Sequence, residues 1–186
     1  MQYNLPTALT LLRIAIIPVF IVLFYLPLGW SNIWCTLLFA LAAITDWLDG
    51  YLARRWEQTS AFGAFQDPVA DKLLVATALI LLVQAIPSAL MALSTAIIIG
   101  REIAISALRE WMAQLGRRGV VSVSRLGKWK TAAQMTALLL LLYRDPLWGL
   151  PVIEIGQVLL LLAAGLTLWS MIRYLNAAWP VLKQSS

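Results

Sequence analysis

Apolar residues do not alternate with polar ones along this chain; they come in blocks. Six blocks can be marked, at roughly 9–28, 33–54, 68–86, 88–109, 129–143 and 151–174. Most reach the length of about 20 residues that a helix needs to cross a bilayer. Breakers fall between them. Pro27 and Gly29 follow the first block, Pro87 parts the third and fourth, and Asp145-Pro146 with Gly149 parts the fifth and sixth. Pro68 after Asp67 reads as the first-turn proline of a third helix. Asn4-Leu5-Pro6-Thr7 reads as a short interfacial helix ahead of the first span, and Pro18 as a kink within that span. The pattern predicts an all-α integral membrane protein with six transmembrane helices and short connections, a single domain over 1–186. No internal repeat or low-complexity stretch is visible.

Composition agrees. Of 186 residues 61% are hydrophobic and 12% charged, half the charge of an average soluble domain. That excludes a disordered chain and a secreted disulfide scaffold. The net charge of +5 suggests nucleic acid at first, but so few charges cannot build a solvated basic face, so no nucleic-acid partner is expected. Cys35 is the one cysteine and lies in an apolar run, which makes it a small core residue. The absence of histidine removes imidazole catalysis and imidazole-ligated metals. The N-terminus lacks the charged region and small-residue site of a cleaved signal peptide.

The cations orient the bundle. Of 14 Lys and Arg residues, 12 fall on the side shared by the N-terminus, the second-to-third and fourth-to-fifth connections and the C-tail. Arg144 alone is on the other side, and Arg101 alone is well inside a span. Positive charge stays cytoplasmic, so both termini are expected in the cytoplasm. Trp30, Trp34, Trp56, Trp111, Trp129, Trp148 and Trp179 fall near span ends, as an interfacial belt requires.

Chemistry concentrates around the second connection. Asp46 and Asp49 are three apart on the second helix, and Asp67 and Asp71 four apart at the start of the third, so each pair shares a face. A short connection brings the pairs to one end of adjacent antiparallel helices. Four carboxylates in an apolar corner cannot all ionise unaided, and divalent cations would resolve the repulsion. All-oxygen ligation favours Mg²⁺ or Mn²⁺, and two such ions form the clamp used for displacement at phosphorus. Mg²⁺ shares its shell with substrate phosphates, so the cluster predicts a phosphate-bearing substrate. Singly, each acid has a plainer reading. Asp67 makes a good N-cap, Asp71 a partner for Lys72 or Arg54, and Asp46 a buried hydrogen-bonded acid. Gly50 and Gly63 can be packing glycines. Four together in a membrane are too costly to be merely structural.

A second group is basic: Arg109, Arg117, Arg118, Arg125, Lys128 and Lys130 surround the connection after the fourth span. Retained positive charge and contacts with anionic lipids account for much of it. Arg109 and Lys130 are the best placed, at helix ends expected to face a cavity mouth. Arg101-Glu102 lies deeper and reads as an internal ion pair.

The run D-x2-D-G-x2-A-R-x8-G-x3-D-x3-D is met at Asp46, Asp49, Gly50, Ala53, Arg54, Gly63, Asp67 and Asp71. In this the chain resembles the CDP-alcohol phosphotransferases. Segments 4–13, 101–112 and 127–135 resemble the bacterial members that transfer a phosphatidyl group to sn-glycerol 3-phosphate. The resemblance implies six transmembrane helices around a polar cavity open to the cytoplasm, usually in a homodimer. It implies a two-metal site of Mg²⁺ or Mn²⁺ on Asp46, Asp49 and Asp67. Asp71 would be the general base and would also touch a metal. Asp49, Gly50, Ala53, Arg54 and Gly63 would bind the donor, CDP-diacylglycerol. Phosphatidylglycerophosphate and CMP would be the products, made at the bacterial cytoplasmic (inner) membrane. The acceptor phosphate would be held by a subset of Arg109, Arg118, Lys128 and Lys130, arginine offering a fork and lysine a point charge.

Three rivals were weighed. A sibling enzyme would take serine, an inositol phosphate or phosphatidylglycerol as acceptor. A metal-ion transporter would place its acids at mid-membrane in repeated halves, and neither feature is seen. A non-catalytic scaffold leaves the aspartates unexplained.

Overall fold

The computed structural model describes the backbone of residues 5–56, 61–114, 125–147 and 149–184, and the side chains of 11–46, 69–70, 72–114, 129–147, 149–176 and 179. The protein is all-α: α1 (Leu5–Tyr25), α2 (Ser31–Trp56), α3 (Ala61–Ala85), α4 (Ala89–Gln114), α5 (Arg125–Tyr143) and α6 (Val152–Gln184). The six blocks of the sequence are these six helices, each longer than its apolar run. The polar extensions lie mainly at one end. The 54–67 connection shrinks to 57–60, and residues 110–114 and 125–128 are helical. A helix satisfies its own backbone polar groups, so it can continue past the apolar stretch at no hydrogen-bonding cost.

Two expectations are corrected. Residues 5–7 are not a separate interfacial helix but the first turn of α1, with Pro6 at a position where its missing N–H costs nothing. Pro68 does not open α3, which begins at Ala61; the proline lies inside the helix and Asp67 is no N-cap. Ala61-Phe62-Gly63-Ala64-Phe65-Gln66 offers no breaker strong enough to stop the helix from starting earlier.

The connections follow local chemistry. Ser88 caps α4, its Oγ accepting from the Met91 N–H at 3.2 Å. Ser31 Oγ, at the start of α2, donates to the Leu23 carbonyl at 2.8 Å. After α5 the chain reverses with Arg144 at φ 59° and Gly149 at φ 78°. Hydroxyls within the helices turn back on their own backbone: Thr36 on Asn32, Thr77 on Leu73 and Thr167 on Ala163. In apolar surroundings that is the cheapest way to satisfy them.

The core runs along the bundle from Phe20 and Phe39, whose ring centroids are 6.3 Å apart, through Leu79, Leu82 and Met91 to Leu138, Leu141 and Leu160. Cys35 is buried within it as a free thiol, as the sequence indicated. The outside is equally apolar. Val22, Ile44, Ile80 and Ile103 are all at least 60% exposed. An aqueous protein rarely exposes such a surface, whereas a lipid solvent calls for it. Two helices are long and apolar enough to cross a membrane among the described residues, within Ala89–Gln114 and Val152–Asn176. The described parts of three further helices, Leu11–Tyr25, Ser31–Asp46 and Lys72–Ala85, are apolar too. The aspartate-bearing segment occupies the end of α2 and the start of α3.

α5 packs closely on α6. A Cβ added at Gly156 would lie 2.7 Å from Leu141 Cγ and 2.9 Å from its Cδ2. Leu141 is fully buried, so glycine is what lets the two helices approach here.

Candidate active site

Short connections make consecutive helices antiparallel, so one end of the bundle collects the start of α1, the end of α2, the start of α3, the end of α4 and the start of α5. The charged pairs are there. Arg13 of α1 donates through Nη1 to Asp46 Oδ1 of α2 at 2.7 Å. Arg13 is 1% exposed, so what the sequence offered as a membrane-surface charge is an interior cation. Asp46 is half-buried beside it. The pair joins α1 to α2 beside the motif, and an oxygen donor such as the Asp46 carboxylate suits a hard divalent cation.

The motif's remaining residues, Asp49, Gly50, Ala53, Arg54, Gly63, Asp67 and Asp71, have helical backbones on α2 and α3, but their side chains lie outside the described residues. The side chain of Lys128 does too, and Arg118 lies outside altogether. Among the described residues no group of three or more acidic, cysteine or histidine side chains converges.

Beyond the motif, α3, α4 and α5 enclose a cavity of about 770 Å³. Leu79, Ile98 and Ile99 line its apolar part, and Lys72, Glu102, Ser106 and Lys130 its polar part. Glu102 is the centre of the polar part. Its Oε1 accepts from Arg101 Nη1 at 2.6 Å and from Lys130 Nζ at 3.2 Å, and its Oε2 stands 3.9 Å from Lys72 Nζ. Lys72 also donates to Ser106 Oγ, whose own proton goes to the Glu102 carbonyl at 2.7 Å. Arg101 reaches across to α6, donating through Nη2 to Ser170 Oγ at 3.3 Å and lying 5.8 Å from the centre of the Tyr174 ring.

Two of the proposed phosphate-binding residues thus have described side chains, and they separate. Lys130 is buried and lines the cavity. Arg109 does not line it; the guanidinium is exposed, 5.7 Å from the Tyr174 ring centre, and donates to that hydroxyl at 3.3 Å. Register does not separate it from the cavity face, since Arg109 stands seven residues, about 20° of helix turn, from Glu102; what takes its guanidinium away is the contact with Tyr174 of α6. Arg101-Glu102 is an ion pair, as the sequence suggested, and also part of the cavity wall. Lys72 pairs with Ser106 and Glu102 of α4, whereas the pattern alone marks it as one of the cytoplasmic-side cations and a candidate partner of Asp71. Its signal, and that of Arg13, was available: a cation inside an apolar run must find a partner, and each helix was antiparallel to one carrying an acid.

A charged end, an aspartate-bearing helix pair and a cavity lined by both lysines and glutamates thus lie together in an all-helical chain with apolar candidate spans. The profile of the CDP-alcohol phosphatidyltransferase family matches residues 3–169, and the chain belongs to that family. Among characterised relatives it is 55% identical over 178 residues to a CDP-diacylglycerol–glycerol-3-phosphate 3-phosphatidyltransferase of Shigella flexneri, covering 96% of each chain. It is 55% identical over 179 residues to the protein of that name from Pectobacterium atrosepticum, again covering 96% of each. With the protein of that name from Pseudomonas fluorescens it shares 57% identity over 183 residues, 97% of this chain and 92% of the relative.

Proposed function

We propose that the protein transfers the phosphatidyl group of CDP-diacylglycerol to sn-glycerol 3-phosphate, giving phosphatidylglycerophosphate and CMP. The observation that carries the acceptor is the pair of lysines, Lys72 and Lys130, lining a cavity next to the motif helices. A phosphomonoester is close to a dianion at neutral pH, and two ammonium groups match it. The names of relatives sharing more than half their residues with this chain support the same acceptor.

In this reading the primary hydroxyl oxygen of the acceptor attacks the β-phosphorus of the donor. The new P–O bond forms as the bond to the CMP oxygen breaks. Asp71 takes the hydroxyl proton, a carboxylate being the nearest candidate base in a chain without histidine. Arg54 neutralises the donor pyrophosphate, and Gly50 and Gly63 allow the nucleotide to lie close to the helix backbones. Asp46, Asp49, Asp67 and Asp71 would hold two Mg²⁺ or Mn²⁺ ions, an all-oxygen set, with Asp46 oriented by its contact with Arg13. When bound, the cations supply charge neutralisation at the pyrophosphate.

Six helices crossing the bacterial cytoplasmic membrane, the charged end and both termini in the cytoplasm, and a homodimer complete the proposal. The twelve-to-one division of basic residues between the two sides supports the orientation. Cysteines at positions 58 and 119 on a Cys35→Ala background should resist an impermeant reagent added to intact cells. Labelling from outside would reverse the topology. Purified protein with CDP-diacylglycerol, Mg²⁺ or Mn²⁺ and a panel of acceptors tests the reaction through CMP release. Turnover of serine or an inositol phosphate, with none of glycerol 3-phosphate, would replace the acceptor and leave the family intact.

A further inference from the structure

One carboxylate on the cavity wall meets three cations, and their arrangement is directional. Arg101 approaches Glu102 from the α6 side and does not line the cavity; Lys130 and Lys72 approach it from α5 and α3 and do. The 2.6 Å contact with Arg101 is the shortest of the three. It offsets the negative charge of Glu102, so that carboxylate does not cancel the two cavity lysines; Glu110 is the other acid on the lining. Arg101 is itself fixed by Ser170 and the Tyr174 ring on α6. The order of support is therefore α6, Arg101, Glu102, and then two ammonium groups from two other helices brought to a single carboxylate.

Ammonium groups on four-carbon stems do not converge unaided, because they repel each other and lose rotamer freedom. A shared carboxylate supplies the convergence before ligand arrives. We propose that Glu102 is a positioning residue that gathers Lys72 and Lys130 into a preassembled receptor for the phosphate dianion of the acceptor, with Lys72 its second phosphate-binding lysine. This rests on the acceptor reading above and deepens it. Glu102 does not touch the substrate; it acts through the lysines. Ser106 does the same for Lys72 alone, by accepting its proton.

The alternatives predict opposite signs. As an organiser, Glu102 is needed for acceptor affinity. As a competitor for the lysines, it opposes the phosphate, and removing its charge tightens binding. As a bundle pin, its loss lowers turnover and donor affinity together.

The test uses full-length protein in mixed micelles with CDP-diacylglycerol, measuring KM for both substrates, kcat, and competitive inhibition by inorganic phosphate. Glu102→Gln should raise the acceptor KM about tenfold, the lower end of what one charged hydrogen bond is worth, with donor KM nearly unchanged. The Ki for inorganic phosphate should rise in step, since phosphate probes the receptor without the glycerol. Lys72→Met should show the same split, which keeps the test open if Glu102→Gln does not fold. A fall in acceptor KM, a rise in donor KM of equal size, or a phosphate Ki that stays put overturns the proposal. Wild-type protein that ignores glycerol 3-phosphate but uses another acceptor overturns the reaction assignment instead, and the two failures are distinct.

Discussion

The two ends of this bundle solve one problem in different ways. Each must satisfy polar side chains among apolar helices. At the end with the motif, charge does it: Arg13 with Asp46, and Arg101, Lys130 and Lys72 around Glu102. At the other end the contacts are largely neutral. Tyr25 donates to Gln84, Gln157 donates to Ser88 at 3.3 Å, and Arg144, the one cation there, donates to the Asn32 amide oxygen at 2.6 Å and lies over the Phe24 ring. Neutral bonds are the economical way to hold helices in an apolar medium, because an ion removed from water is costly even when paired. Where a bundle retains six charges in two networks instead of neutral pairs, folding alone does not call for them. On the proposed function, the charged end serves a ligand and the neutral end architecture.

The largest test of that division is at the aspartates. Asp46→Asn, Asp49→Asn and Asp67→Asn should each reduce CMP release by about a hundredfold or more, the scale of losing one electrostatic contact to developing charge. Excess chelator should stop the unmodified protein. Full activity in chelator would remove the metals from the proposal. Asp71→Asn should abolish transfer while leaving donor affinity nearly intact if Asp71 is the base. A loss of donor affinity like that of Asp49→Asn would make it a metal ligand.

Next in size is the contrast between Lys130 and Arg109. Lys130→Ala should raise the acceptor KM roughly ten- to a hundredfold, with the donor KM little changed. Arg109→Ala should do clearly less, since its guanidinium is turned to Tyr174 and the cavity wall passes it by. Equal effects from the two would mean that Arg109 swings into the cavity when substrate binds.

That contrast also marks where the sequence was and was not informative. The six helices were legible because apolar blocks and breakers report a lipid solvent directly. The aspartates stand out in the sequence because four acids in such a chain demand a reason; of their side chains, only that of Asp46 is among the described residues. Arg109 and Lys130 looked equivalent because both sit near helix ends in a basic stretch, and only their partners, Tyr174 for one and Glu102 for the other, separate them. Pro68 misled for a related reason: its preference for a first turn is local, whereas the start of α3 is set by residues seven positions earlier. Arg13 was counted with the surface charges because charge sums over one side of a membrane do not record which cations are interior.

At the neutral end, packing should matter and charge should not. Gly156→Val places a branched side chain against Leu141, which has no free volume to retreat into. Overpacking of this kind costs about 1–3 kcal/mol, visible as a lower midpoint of thermal unfolding in detergent. Gly165→Ala is the control. Nothing lies within 4 Å of a Cβ added there, so the change keeps the bundle intact and gains up to about 1 kcal/mol of helix propensity. Both variants should keep the acceptor KM of the wild type. A shift of KM at Gly156 without a shift of stability would mean that the α5–α6 contact sets the position of Lys130, and the two ends would no longer be independent.

The smallest effect is expected at Tyr25. Its hydroxyl donates to Gln84 and joins the end of α1 to the end of α3, far along the bundle from Arg13 and Lys72, which those same helices carry at the charged end. The tyrosine is 56% exposed, and its ring packs edge-on against Phe24. Tyr25→Phe keeps that ring and removes one neutral hydrogen bond, worth about 0.5–1.5 kcal/mol. Solvent access to both partners places the loss toward the lower figure, because Gln84 recovers a partner outside the protein. Thermal unfolding should therefore move slightly, and both KM values and kcat should not move at all. The measurement is demanding, but it is the sharpest check on the comparison. A neutral bond between α1 and α3 at one end would alter catalysis only if it controlled the spacing of those helices at the other. A change in acceptor KM in Tyr25→Phe would show that the architecture and the site are one cooperative unit.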